Sequence, residues 1–352
     1  MRRIRIAVVG AVLCLAAQLA IVYGMPIERR KPKKGEDESS MTASQSKPQS
    51  SSFATSILPR DRADAPDKVN EEFAGKPVKV LGGGAKVIAK DKATGEEVEL
   101  MPTGTSSVSH FPKTIFIPSP DGQEEEYKLL GLGIRTVSFL NIQVYVVGLY
   151  VQKDSLGALQ ADLVRLVNPL ASALIPDEKE SLRGGLLDAE RSYAIWDTLL
   201  REKGGGLKTV WRIVPVRNTD FQHLRDGWVR GITTKTQAAA SRQEKEYDDE
   251  TFALAMREFK ALFGGKGRAP KGSVVLLKRD TNGRLAVLFQ EKDGQRESTN
   301  FGVVDDERIA RLIWLGYLGG KNVSSEGARK GVVDGIMELV ERPIGSVETK
   351  VS

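Results

Sequence analysis

The strongest constraint on this chain is the apolar run VYVVGLYV at 144–151, preceded by GLGIR at 131–135. Together they describe an almost uninterrupted apolar strand pair, with one arginine, Arg135, at its entry. A guanidinium stays ionised in proteins and is costly to bury alone. Arg135 therefore implies a nearby acceptor or a bound anion.

Other elements follow from periodicity. Residues 127–130, 137–139 and 142–151 carry the β-branched and aromatic bias of strands, and 211–216 adds another with Trp211 and Ile213 on one face. Segments 273–278 and 285–290 flank Asn282-Gly283, which predicts a type I′ hairpin. Helical stripes run through Phe221, Leu224, Trp228 and Ile232 after an Asp220 N-cap, and through Phe252, Met256, Phe259 and Phe263. Two more run through Ile309, Leu312, Ile313 and Tyr317, ended by Gly319-Gly320, and through Val332, Val333, Ile336 and Val340. Strands first, then helices, a late hairpin and further helices favour an α+β domain, with helices layered on a largely antiparallel sheet.

Composition narrows the functional classes. The chain has 352 residues and a formal charge of +6, a balance that by itself hints at nucleic acid. Residues 1–34, however, hold eight Lys or Arg against one Glu, which leaves a net −1 on the other 318. The basicity belongs to the N-terminus, and no nucleic-acid face is expected. One cysteine, Cys14, excludes an internal disulfide framework and a thiolate-clustered metal site. With only His110 and His223, a His-rich metal centre is not expected either, and no metal ligands are assigned.

Residues 6–25 are apolar apart from Gln18 and a few small or amphipathic positions. Twenty residues at helical rise span roughly 30 Å, the thickness of a bilayer core. Residues 1–25 are read as a single transmembrane anchor or targeting segment. The rival is a cleaved secretory signal, with Arg2, Arg3 and Arg5 as its basic head. Residues 26–110 read as a disordered or weakly ordered linker, rich in Ser, Lys, Asp, Glu and Pro up to about residue 76 and with a marginal hairpin around 78–100. The folded domain is assigned to 111–348.

Arg135 gains a partner in Tyr145 on the following strand, since a phenol and a guanidinium converging on one cavity suit a carboxylate or an enolate. The bland alternative is an edge arginine whose stem packs while its head reaches water. Gly264-Gly265-Lys266-Gly267 lacks the Ser or Thr of a phosphate loop and reads as a solvated turn. His223 reads as a helix-surface or capping residue.

At these residues the chain resembles the chalcone isomerase family. The resemblance runs from about 111 to 340 and rests on GLGIR with VYVVGLYV, on RIVPVRNTDFQHLRDGW at 212–228, and on IWLGYLGGKNVSSEGARKGVV at 313–333. It extends to fungal mitochondrial members with an anchored N-terminus and a Ser-rich tether. The resemblance implies a chalcone-isomerase-like open-faced β-sandwich, a large antiparallel sheet under a helical layer with a ligand cleft between them. It also implies an intramolecular lyase activity in which an arginine, here Arg135, stabilises an enolate. Where the family uses a threonine on the next strand, Tyr145 stands. Its catalytic tyrosine and asparagine fall on Phe221 and Trp228, and a substrate-positioning Ser or Thr falls on Gly302. Phe and Trp cannot orient water or polarise a ketone as Tyr and Asn do, which argues against flavonoid cyclisation.

The expectation is a domain that binds an apolar carboxylate such as a fatty acid. Arg135 and Tyr145 would meet its acidic group, or act catalytically if the protein is an isomerase, and Phe221 and Trp228 would line the cavity. Haem satisfies the same pattern if His223 or Tyr145 supplies an axial ligand. An isomerase acting on another enone and a scaffold with a peptide-binding cleft are the competing functions. The resemblance implies the mitochondrial inner membrane with the domain in the intermembrane space, the secretory pathway being the alternative.

Overall fold

Among the described residues seven strands form one antiparallel sheet, in the spatial order 299–304, 285–290, 274–279, 209–215, 142–152, 124–137 and 114–118. The computed structural model describes residues 72–344 apart from 82–85, 91–94, 120, 139, 202–205 and 295–296. The proposed membrane segment and most of the tether lie outside the described residues. Among the described residues no helix is long and apolar enough to cross a membrane.

The sheet comprises β6 (Thr114–Pro118), β7 (Glu124–Val137), β8 (Ile142–Gln152), β9 (Thr209–Pro215), β12 (Val274–Arg279), β13 (Leu285–Gln290) and β14 (Thr299–Val304). Its strand faces separate cleanly. Tyr145, Val147, Leu149 and Val151 of β8, with Trp211 and Ile213 of β9 and Val275 and Leu277 of β12, belong to the main core beneath the helices. Val146 and Tyr150, with Val210, Val214, Val274 and Leu276, face a second core on the opposite side, completed by Phe111 and Tyr127. Period-two alternation places successive side chains in two different apolar environments, which is why VYVVGLYV carries no polar face.

Among the described residues seven α-helices accompany the sheet: α1 (Leu156–Val167), α2 (Pro176–Leu187), α3 (Ala189–Arg201), α4 (Phe221–Ser241), α5 (Glu250–Ala261), α6 (Glu307–Leu318) and α7 (Glu326–Val340). The four predicted stripes are α4 to α7. Asp220 caps α4 as expected, its carboxylate accepting the His223 N–H. Gly319 ends α6. Helices α1 to α3 were not anticipated. Helix α2 is only weakly amphipathic and carries Pro176, Gly184 and Gly185, whereas α1 and α3 have apolar faces as clear as those of α4 to α7.

The predicted hairpin forms, but not with a two-residue type I′ turn. Strands β12 and β13 pair as far as Arg279 with Leu285, leaving a five-residue loop. Asp280 organises it: its carboxylate accepts the N–H groups of Asn282 and Arg284, and its own N–H donates to the Arg284 carbonyl. Only Gly283 takes a positive φ, +81°. A side chain that captures nearby backbone donors has outcompeted the turn predicted from Asn-Gly alone.

Order also begins earlier than the linker assignment to 110 allows. Strands β1 (Glu72–Phe73), β2 (Lys76–Leu81), β3 (Lys86–Lys90), β4 (Glu97–Pro102) and β5 (His110–Pro112) form a second antiparallel sheet in sequential order. The alternation read as a marginal hairpin is real: Phe73, Ala89 and Leu100 make a small apolar cluster. Two short strands, β10 (Thr219–Asp220) and β11 (Arg268–Ala269), pair with each other beside α4.

Candidate ligand-binding site

The spacing of GLGIR has a geometric cause. Gly131, Gly133 and Arg135 alternate onto the helix-facing side of β7, where α7 crosses the strand. A Cβ on Gly131 would lie 2.2 Å from the Gly331 backbone, and one on Gly133 would lie 2.1 Å from the Ala328 nitrogen. From the helix side, a Cβ on Gly335 would lie 1.7 Å from the Leu130 carbonyl oxygen. Glycines on both elements let backbone meet backbone. Two residues beyond Gly133 the strand has passed the N-terminus of α7, and Arg135 is the first side chain with room.

Arg135 is half-buried, and its Nη1 donates to the Ser324 carbonyl at 2.7 Å. Ser325 then fixes that loop, its hydroxyl donating to the Ile134 carbonyl at 2.8 Å while accepting the Ala328 N–H as the cap of α7. Among the described residues no carboxylate pairs with Arg135. That distinguishes it from Arg311, which is fully buried and meets Asp197, Glu246 and Glu307. Arg279, also buried without a carboxylate contact, donates from Nη1 and Nη2 to the carbonyls of Leu207 and of Leu200 in the last turn of α3.

Arg135 pairs across the strands with Tyr145, next to an irregularity in register, and its guanidinium carbon lies 5.9 Å from the centre of that ring. The Tyr145 hydroxyl lies 2.6 Å from the hydroxyl of Tyr317 on α6, which accepts the indole N–H of Trp228 at 3.0 Å. Burial drives the pKa of both phenols up; the neighbouring phenol adds to the rise at Tyr145, and the charge of Arg135 opposes it at each. Both are therefore neutral near pH 7. Two hydroxyl protons then serve a chain with one internal hydroxyl-to-hydroxyl bond. Whichever phenol donates to the other, one O–H is left in a buried place without an acceptor among the described residues.

Phe221 and Trp228 lie in the aromatic layer that continues from this chain. Trp228 packs on Phe263 at 5.6 Å between ring centres, Phe263 approaches Phe301 at 6.3 Å, and Phe221 meets Phe301 and Phe289 edge-on at 5.0 Å each. The four predicted residues thus occupy two adjoining zones. Arg135 and Tyr145 are brought together, Trp228 joins them through Tyr317, and Phe221 sits further along the aromatic path. Gly302 lies on β14 opposite Val287 with φ of +133°, beside Leu262. Tyr317 was missed as a site residue because its hydroxyl is hidden within an apolar helical stripe.

Both haem-ligand candidates have protein partners. His223 is exposed and its Nδ1 lies 2.8 Å from Asp220, while the Tyr145 oxygen is engaged by Tyr317.

The family model described as chalcone isomerase like matches residues 125–333, a span holding all three landmark segments. The chain belongs to the chalcone isomerase-like family. Among curated proteins it is 32% identical over 235 residues to altered inheritance of mitochondria protein 18, mitochondrial, of Debaryomyces hansenii, covering 66% of this chain and 74% of that one. The protein of the same name from Eremothecium gossypii is 33% identical over 248 residues, covering 70% and 76%. The crystal structure of an Arabidopsis thaliana fatty-acid binding protein superposes with a TM-score of 0.49 at 20% identity, over 69% of this chain and 100% of that one.

Proposed function

We propose that this chalcone isomerase-like protein binds an apolar ligand through its acidic group, with Arg135 and Tyr145 on the carboxylate and the Trp228–Phe221 aromatic layer around the chain. One observation carries the reading: a half-buried guanidinium without a carboxylate partner stands against a buried phenol pair holding one unspent O–H. A carboxylate supplies both missing acceptors, and the N-terminus of α7 beside Arg135 adds a favourable potential for an anion. Trp228 and Phe221 are linked through Phe263 and Phe301, and Tyr145 is tied to Trp228 through the Tyr317 hydroxyl, so entry of the ligand chain requires rings to change rotamer. A fatty acid is the ligand class that this combination suits.

The same donors would hold an enolate, which keeps an intramolecular lyase acting on an enone as the second reading. Phenols with strongly raised pKa are poor acids and are not bases at neutral pH. Phe221 and Trp228 supply no replacement, and binding without efficient cyclisation is the better account.

The curated relatives are named as mitochondrial, and the first 34 residues are basic with a single acid. These support a mitochondrial protein held in the inner membrane by residues 1–25, with its domain in the intermembrane space. A fluorescent fusion resolved against matrix and intermembrane-space markers tests that placement. The ligand is tested by native mass spectrometry of the full-length chain purified in mild detergent. Recovery of a long-chain carboxylate, lost in Arg135→Gln, is expected; recovery of nothing, or of an uncharged lipid in both proteins, would remove the support.

A further inference from the structure

A pocket of about 970 Å³ opens between α3, the last turns of α4, the 242–247 segment and the residues that follow α6. Lys235 reaches into it from α4. Its amine lies 3.3 Å from the Gly319 carbonyl and 5.4 Å from the centre of the Tyr193 ring. The Gly319-Gly320 pair makes this approach possible. A Cβ on Gly319 would lie 2.9 Å from the Tyr193 Cα, and Gly320, with φ of +99°, keeps its side-chain space, 3.6 Å from the amine, empty.

The acidic side chains around this pocket, Glu190 apart, are committed elsewhere. On α3, Asp197 is taken by Arg201 and Arg311, and Glu190 is exposed. On the 242–249 segment, Glu246 is taken by Arg201 and Arg311, and Glu244 by Arg242, while Lys245 and Tyr247 bring no negative charge. Lys321 adds a further cation from the segment after α6. Among the described residues no carboxylate pairs with Lys235, and burial alone pulls its pKa down to about 8.

We propose that Lys235 is a nucleophilic amine that holds an aldehyde as an imine in this pocket, at a site separate from the Arg135 cluster. A desolvated lysine in a pocket with an aromatic wall is the type of amine that attacks carbonyl carbon. The neutral nitrogen forms a bond to that carbon, and the carbonyl π pair moves to oxygen, which takes up the proton released by nitrogen. Loss of one water then leaves the C=N bond. No oxidant or reductant takes part.

The test uses the full-length chain in mild detergent with propanal as probe, sodium cyanoborohydride to reduce any imine to a stable amine, and peptide mass spectrometry to rank the lysines. At pH 7, Lys235 is expected to be alkylated at least about tenfold faster than Lys245 and Lys321, because burial leaves it more neutral than an unperturbed amine. Its rate should rise with pH and level off above about 8. Alkylation of Lys235 no faster than of those two lysines, or a rate still rising steeply at pH 10, would overturn the proposal.

Discussion

Arg135 and Tyr317 are the two side chains on which the site turns, and they fail differently when changed. Arg135→Gln keeps one N–H for the Ser324 carbonyl but removes the charge. It should therefore leave the unfolding midpoint nearly unchanged while weakening carboxylate binding by about 10- to 100-fold, the value of a charge-assisted hydrogen bond. Tyr317→Phe removes the oxygen that accepts the Trp228 N–H and meets Tyr145. It strands a buried indole N–H, and urea unfolding should show a loss of about 1–3 kcal/mol. At this scale the sequence was half legible. An arginine beside an apolar strand demanded an acceptor, and Tyr145 was found from its place on the next strand. Ser324 and Tyr317 meet Arg135 and Tyr145 from more than 170 residues away, a distance that periodicity cannot bridge.

The contact between β7 and α7 is the element on which the site depends, because it sets where Arg135 emerges. Gly331→Ala would bring a Cβ to 2.3 Å from the Leu132 carbonyl oxygen, backbone that cannot rotate away. A loss of about 3 kcal/mol or more is expected, well above an ordinary overpacking cost. Ala at Gly316, where an added Cβ meets nothing within 4 Å, should be tolerated and serves as the control. Elements with an unbroken period were legible, and α4 to α7 fall where their apolar stripes place them. The 280–284 turn was not, because Asp280 decides it through hydrogen bonds rather than through backbone preference. The five-stranded sheet from Glu72 was obscured by strands whose exposed faces are as polar as a tether.

At the scale of the whole molecule, Glu125 ties β7 to β12 and to the segment before β9. It pairs with Lys208 at 2.6 Å and with Lys278 at 2.8 Å on the second-core face. Burial raises its pKa, but hydrogen bonds from these lysines and from Tyr127 outweigh that and hold it at about 2 against an ordinary 4.5. A carboxylate with a depressed folded pKa stabilises the fold fully above its unfolded value and loses that contribution as pH falls through the folded one. The unfolding midpoint should therefore drop between about pH 4.5 and 2, and Glu125→Gln should show a shallower drop over the same range. Glu125 lies on the opposite face of the sheet from Arg135, so this acid sensitivity should leave ligand preference at pH 7 untouched. That preference is the most direct test of the central claim. Affinities of the full-length chain for a long-chain fatty acid and for the alcohol of equal length should differ by about tenfold or more in favour of the acid, the worth of one charge-assisted hydrogen bond. The difference should vanish in Arg135→Gln. Equal affinities in the unaltered protein, or a preference for the acid that survives the substitution, would contradict the account.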